Sequence, residues 1–228
     1  MVSATVDTDV FAAHPEYVAL ILFAEGTGNG PSDAGSSAVL DAAEEHLRAR
    51  GLARVADHPH IAAWRAAFSA FGAKPSKYPC SAEALATRVL KGDPLPRVNV
   101  VVDLYNAVSV EALIPVGGED LDQLQGGLRL TVAGGGEAFD GHDGAPRPGE
   151  IVWRDDAGVT CRRWNWRQGR RTQLTDATTR AFFVFDRLPG LDESRLNAAA
   201  AQLESLLKAR WPRCTVQRIR LARDQPRS

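Results

Sequence analysis

The chain has 228 residues, of which 44% are hydrophobic and 24% charged. These globular proportions exclude a disordered, collagenous or coiled-coil chain, and the length supports one sizeable core. The formal net charge is −1, from 27 Lys plus Arg against 28 Asp plus Glu, which excludes a uniformly basic nucleic-acid binder.

Residues 17–24, Tyr-Val-Ala-Leu-Ile-Leu-Phe-Ala, predict a buried strand. Its longest apolar run, residues 18–24, is far too short for a membrane span. A loop follows, Glu-Gly-Thr-Gly-Asn-Gly-Pro at 25–31. It has neither the GxGxxG spacing nor a Gly-Lys-Ser/Thr ending, so it reads as a turn rather than a phosphate loop. Residues 34–50 predict a helix with Leu40, Ala43 and Leu47 inward and Gly51 just past its end. Pro59 opens a second helix running to Ala70, with Ile61, Trp64 and Phe68 on one face. Ser81 suits the cap of a third, which turns Leu85 and Val89 inward and stops at Gly92 and Pro94.

Residues 98–110 carry valines that favour a strand. Yet Val98, Val101, Val102, Tyr105 and Val108 follow the helical period, so a helix capped by Asn99 is expected. Residues 115–120, Pro-Val-Gly-Gly-Glu-Asp, read as a tight loop after it. Strands are expected at 128–133, 150–154, 159–164 and 180–188, with glycine-rich connections between the first two. A helix over 192–209 carries Leu196, Leu203, Leu206 and Leu207, and a short strand follows at 215–221. Helices, then strands, then one closing helix imply an α+β fold with mixed sheets rather than repeated βαβ units. A single domain over 1–228 is expected, with its core at about 65–190 and additions at 1–64 and 191–228.

The three cysteines, Cys80, Cys161 and Cys214, form no CxxC pair, so neither a disulfide framework nor a zinc site is indicated. The histidines His14, His46, His58, His60 and His142 form no HExxH arrangement, and no metal or other cofactor is expected. There is no GxSxG elbow. Cys161, beside Arg162 and Arg163, reads as a small buried hydrophobe, with a thiolate nucleophile as the alternative. The first residues include Asp7 and Asp9 and no basic stretch ahead of an apolar run, so a cytoplasmic protein is expected.

The chemistry concentrates in two segments of opposite sign. Residues 160–171 hold five arginines, two tryptophans and no acid. Guanidinium forks fit phosphates and indole faces stack on bases, so RNA contact is expected there; the plainer alternative is a solvated strand edge with the tryptophans in the core. Residues 98–122 hold Asp103, Glu111, Glu119, Asp120 and Asp122 and no Lys or Arg. Their carboxylates suit an ammonium group or the activation of water, with internal salt bridges to the arginine segment as the alternative.

Five stretches carry a resemblance to a known family. They are Phe-Gly-Ala-Lys-Pro-Ser-Lys-Tyr-Pro at 71–79 and Leu-Pro-Arg-Val-Asn-Val-Val-Val-Asp-Leu-Tyr-Asn-Ala-Val-Ser at 95–109. The others are Pro-Val-Gly-Gly-Glu-Asp-Leu-Asp at 115–122, Cys-Arg-Arg-Trp-Asn-Trp-Arg-Gln at 161–168 and Arg-Thr-Gln-Leu-Thr-Asp-Ala-Thr-Thr at 171–179. Together they resemble the freestanding B3/B4-domain proteins, which are similar to the B3/B4 editing region of the phenylalanyl-tRNA synthetase β subunit. The resemblance runs from about residue 65 to 190. It implies a B3/B4-like α+β fold and a pocket that hydrolyses mischarged aminoacyl-tRNA, lined by the helix over 98–106, the loop after Pro115, the segment 161–168 and the turn at 175–179. Asn99, Asp103 and Asn106 fall on the family's Asn-rich helix. The synthetase has a histidine where this chain has Gly117, and its acidic pocket residue has no clear counterpart here; Arg163, Asn165 and Gln168 lie nearby in sequence. The catalytic domains of the synthetase are absent, so aminoacylation is not implied.

On this reading the chain is a trans-editing deacylase whose partner is the 3′ aminoacyl end of tRNA. Glu119 or Asp120 would orient water or hold the α-ammonium, with Asn99 beside them. The Gly117 and Gly118 amides would hold the oxyanion, and Arg162, Arg163 and Arg167 the terminal phosphates. Asp103, Asn106, Asn165, Gln168 and Thr178 would complete the substrate contacts. The alternative is a module that binds tRNA, an amino acid or a nucleotide without chemistry.

Overall fold

A computed structural model describes residues 2–141 and 143–224. His142 lies outside them. The structure is α+β, built on two sheets. One has the order β1 (Ala4–Val6), β4 (Leu128–Val132), β5 (Ile151–Arg154), β6 (Val159–Arg162), β7 (Arg167–Gln168). Its β1–β4 pair is parallel and the other pairs antiparallel. The second, wholly antiparallel, has the order β3 (Val116–Asp120), β8 (Arg180–Arg187), β2 (Val18–Glu25), β9 (Thr215–Ala222). The helices are α1 (Thr8–Ala13), α2 (Ala34–Ala49), α3 (Pro59–Ala70), α4 (Ser81–Leu90), α5 (Val100–Ala112) and α6 (Glu193–Arg210).

The second sheet is the central layer. Strand residues alternate faces, and β2 divides its side chains accordingly. Ala19, Ile21 and Phe23 enter a core with Trp64, Phe68 and Trp164. Val18, Leu20 and Leu22 enter another with α5 and with Leu196 and Leu203 of α6. This explains why β2 reads as a continuous apolar run: both its faces are covered. The ambiguity over residues 98–110 has a similar cause. Every residue of α5 from Val100 to Val110 is buried, so its apolar positions surround the axis and dilute the helical period. Asn99 caps the helix, its Oδ1 accepting from the Val102 N–H at 2.9 Å.

Two expectations are corrected. Residues 116–120 are not a loop but the edge strand β3, paired along β8. Gly118 permits this pairing, since a Cβ there would fall 2.9 Å from ring atoms of both Phe183 and Tyr105. The strand expected over 159–164 stops at Arg162. Arg163 and Trp164 adopt left-handed backbone angles, with φ of 47° and 64°, and turn the chain back into β7. Simple alternation therefore fails through the arginine segment: Trp164 is fully buried, whereas Trp166 is only partly so. The short β1 and α1 had no clear sequence signal. Among the described residues, no helix is long and apolar enough to cross a membrane.

Candidate functional site

A cavity of about 230 Å³ opens where β3 and β8 face α4, α5 and the β6–β7 hairpin. On β3, Gly117 and Glu119 lie two residues apart and so share the face that lines it. Tyr105 and Asn106 reach it from α5, Ser81 and Leu85 from α4, and Trp153 from β5. The hairpin supplies Cys161, Asn165, Arg167 and Gln168, and β8 supplies Val184 and Asp186.

Two carboxyl groups are buried in its wall. Glu119 accepts a short hydrogen bond from the Thr172 hydroxyl. Burial pushes its pKa up to about 7, against the opposing pull of that bond. Asp186 accepts from the Tyr17 hydroxyl at 2.5 Å and from Asn165 Nδ2 at 3.1 Å. Burial raises it to about 6, with both bonds opposing. Both acids therefore change charge near neutrality, the condition that suits proton transfer.

Four polar atoms of lining residues, Ser81 Oγ, Trp153 Nε1, Trp164 Nε1 and Asn165 Oδ1, are buried without a partner among the described residues. Each such atom costs about 1–3 kcal/mol while it stays without a partner. Behind the hairpin the buried Arg163 guanidinium stacks on Tyr78 at 3.8 Å and on Trp166 at 4.4 Å. Arg167 lies over Trp166 at 4.6 Å and pairs with Asp143 at 3.2 Å, with about half of its side chain exposed.

The structure brings Glu119, Asn106, Gly117, Asn165, Arg167 and Gln168 to one cavity. It places the other expected residues elsewhere. Asn99 caps α5 and gives a 3.4 Å bond to the Leu174 carbonyl, away from the lining. Asp103 accepts from the Ser36 hydroxyl at 2.7 Å and from the Val98 N–H at 3.2 Å, tying α5 to α2. Asp120 accepts from the Thr178 hydroxyl at 2.6 Å and from the Asp122 N–H at 2.9 Å, so Asp120 and Thr178 pin the 175–179 turn rather than face the cavity.

Arg162 is corrected most sharply. It is 1% exposed. Its guanidinium grips Glu150 through two 2.8 Å bonds and the carbonyls of Asp143 and Gly144 at 2.7 and 2.9 Å. Those contacts occupy the donors that an external phosphate would need. Arg163 is likewise buried in its aromatic stack.

The glycine amides divide. The Asp120 N–H bonds the Thr172 carbonyl, and the Gly118 carbonyl accepts from Gln168 Nε2 at 2.9 Å, so residues 118 and 120 face away from β8. Antiparallel alternation then turns the Gly117 backbone groups into the ladder, where its N–H is not available to an oxyanion. Cys161 is buried, and burial followed by the nearby Glu119 carboxylate pushes its thiol well above the usual range, which removes it as a nucleophile. Among the described residues, no cluster of three His, Cys, Asp or Glu could hold a metal ion.

Asp186, Tyr17, Trp153 and Thr172 were missed in the sequence. Asp186 left one usable signal: a lone acid at the end of the apolar run of β8.

Residues 63–211, more than half of the chain, match the B3/4 domain family, and the chain belongs to that family. No curated protein matches it.

Proposed function

We propose that the protein hydrolyses the ester of mischarged aminoacyl-tRNA, with the amino acid in the Glu119 cavity and the tRNA 3′ end along the Arg167 rim. One observation carries the reading: a buried carboxyl with a pKa near 7 stands in a small, largely apolar cavity beside unpartnered polar atoms. The cavity's 230 Å³ falls below the ~300–1,000 Å³ of drug-sized ligand sites. That favours an amino-acid-sized group over a whole nucleotide.

In this mechanism ionised Glu119 takes the proton of a water that attacks the ester carbonyl, and returns it to the ribose oxygen as the acyl C–O bond breaks and the tRNA leaves. An aminoacyl ester is already activated, so a positioned water suffices without a covalent nucleophile. Asp186 and Asn165 Oδ1 receive the α-ammonium, and the unpartnered Trp153 N–H donates to the developing oxyanion. Arg167 takes a terminal phosphate. The substrate sets the working place of such an enzyme in the cytoplasm.

The second reading, a module that binds an amino acid without chemistry, is favoured by the burial of Arg162 and Arg163, two of the three cations expected at tRNA phosphates. Incubation with a panel of mischarged tRNAs separates the two. Ester loss above the spontaneous rate supports the enzyme, and saturable binding with every ester intact supports the module.

A further inference from the structure

We propose that the face formed by α4 and the loop before it, over residues 74–91, docks the phosphate backbone of an RNA. The inference rests on the aminoacyl-tRNA reading of the Glu119 cavity for its partner, and extends it to a surface outside that cavity. The chain has only four lysines, and three of them, Lys74, Lys77 and Lys91, fall in this stretch. Residues 58–92 hold five Lys or Arg against the single acid Glu83, although the whole chain sums to −1.

These charges find little use inside the fold. Lys74, Lys77, Arg88 and Lys91 are all exposed, and none pairs with a carboxylate among the described residues. Lys77 lies over the Tyr78 ring at 5.1 Å, and Arg88 donates from Nε to the Pro94 carbonyl at 2.7 Å. Glu83 is already held by Arg65 at 2.5 Å. Lys208, the fourth lysine, shows the contrast: it pairs with Glu204 at 2.6 Å. Arg88 and Lys91 suit the negative end of α4, but that reason does not reach Lys74 and Lys77, which lie outside any helix. Arg65, Arg88 and Lys91 share a groove of about 430 Å³, in which Asp93 is the one acid besides Glu83.

The surface runs into the mouth of the cavity. Ser81, at the start of α4, lines the cavity, and Ala84 lines both cavity and groove. Tyr78 packs edge-on against Trp166 at 5.0 Å, and Arg167 lies over the same Trp166 ring. The ten residues of α4 span about 15 Å, so Lys91 stands about four or five phosphates of a helical strand from Ser81, at ~3.4 Å each. Exposed cations suit backbone contacts, which position a nucleic acid without reading its bases. A membrane fits worse, because basic helices that lie on lipid also insert apolar side chains. The large apolar side chains exposed among the described residues, Val98 and Val132, lie outside 58–92.

The test is binding of uncharged tRNA to the full chain across a salt series. Wild type is compared with the triple variant Lys74→Gln/Lys77→Gln/Lys91→Gln, the charge-keeping triple Lys74→Arg/Lys77→Arg/Lys91→Arg, and the remote Lys208→Gln. The glutamine triple should bind about tenfold or more weakly at about 0.1 M salt, with a log–log salt slope smaller by about two to three. The arginine triple and Lys208→Gln should bind as wild type does, and all four proteins should share one Tm. An unchanged slope in the glutamine triple, an equal loss in either control, or no saturable tRNA binding by wild type overturns the surface. A lower Tm for the glutamine triple also overturns it, by making the lysines structural. Retention on phosphatidylserine vesicles that these lysines control, with tRNA binding indifferent to them, overturns RNA in favour of a membrane. Ester hydrolysis is scored separately. Weakened binding with no ester lost keeps the surface and removes the hydrolytic reading, and ester loss with unchanged binding does the reverse.

Discussion

Tyr17 and Asp186, 169 positions apart in sequence, are joined by a 2.5 Å hydrogen bond that fixes a buried carboxyl in the cavity wall. The bond opposes the upward push of burial on Asp186. Tyr17→Phe removes the donor and keeps the ring. It should cost about 1–3 kcal/mol of stability and raise the Asp186 pKa further. Urea unfolding and a carboxyl NMR titration read the two effects.

Glu119 couples stability and pH. Its folded pKa, about 7, lies above its ordinary value of 4.5. Between those values the folded state holds a proton that the unfolded state has released. Its contribution is thus fully present below about 4.5 and is lost as pH rises through about 7. Asp186 acts in the same sense between 3.8 and about 6. Glu119→Gln should flatten the decline across this window, measured as the difference from wild type. Hydrolysis should run the opposite way, rising through about pH 7 as Glu119 ionises. An identical pH slope of stability in both proteins contradicts the buried acid.

His60 has the reverse sign. Its Nδ1 lies 3.0 Å from the Leu113 carbonyl, and its Nε2 accepts from the Trp64 indole at 3.1 Å and the Leu188 N–H at 3.2 Å. Burial lowers its pKa from 6.5 to about 4, against the opposing pull of the Leu113 carbonyl, and the two donors to Nε2 suit the neutral ring. Its contribution is present above 6.5 and lost as pH falls through about 4. His60→Phe leaves three backbone or indole groups without partners and should cost at least about 2 kcal/mol at neutral pH. Acid unfolding of the variant should also show a shallower slope in that range.

The arginines of the 160–171 segment separate by burial. Arg162→Ala leaves Glu150 charged and buried and should cost about 3–5 kcal/mol. Arg167→Ala, at an exposed pair, should change stability by less than about 1 kcal/mol yet lower the salt dependence of tRNA binding by about one phosphate contact. Thermal unfolding and binding across a salt series measure both. A variant of Arg167 with an unchanged salt slope removes that side chain from the interface.

Much of the fold was legible, and the exceptions have physical causes. Pro59 at the start of α3, Asn99 at the cap of α5 and the two-faced apolar run of β2 follow local rules. Gly117 and Gly118 signalled a loop, but tertiary packing overrode propensity: β8 offers an edge, and the rings of Phe183 and Tyr105 need the space that Gly118 leaves. Charge was harder to read. The near-zero net charge does not reflect two open surfaces of opposite sign, since Arg162 with Glu150 and Arg171 with Asp155 are internal pairs. Glu119 and Gln168 line the cavity from segments whose composition drew attention to them, whereas Asp186 depends on a sheet register that no local pattern encodes.

The most direct test is single-turnover hydrolysis of a panel of mischarged aminoacyl-tRNAs by wild-type protein and by Glu119→Gln. The account predicts ester loss for at least one member, rising with pH through about 7 and reduced on the order of 100-fold or more in the variant. Equal rates in the two proteins, or no loss above the spontaneous rate across the panel, would contradict it.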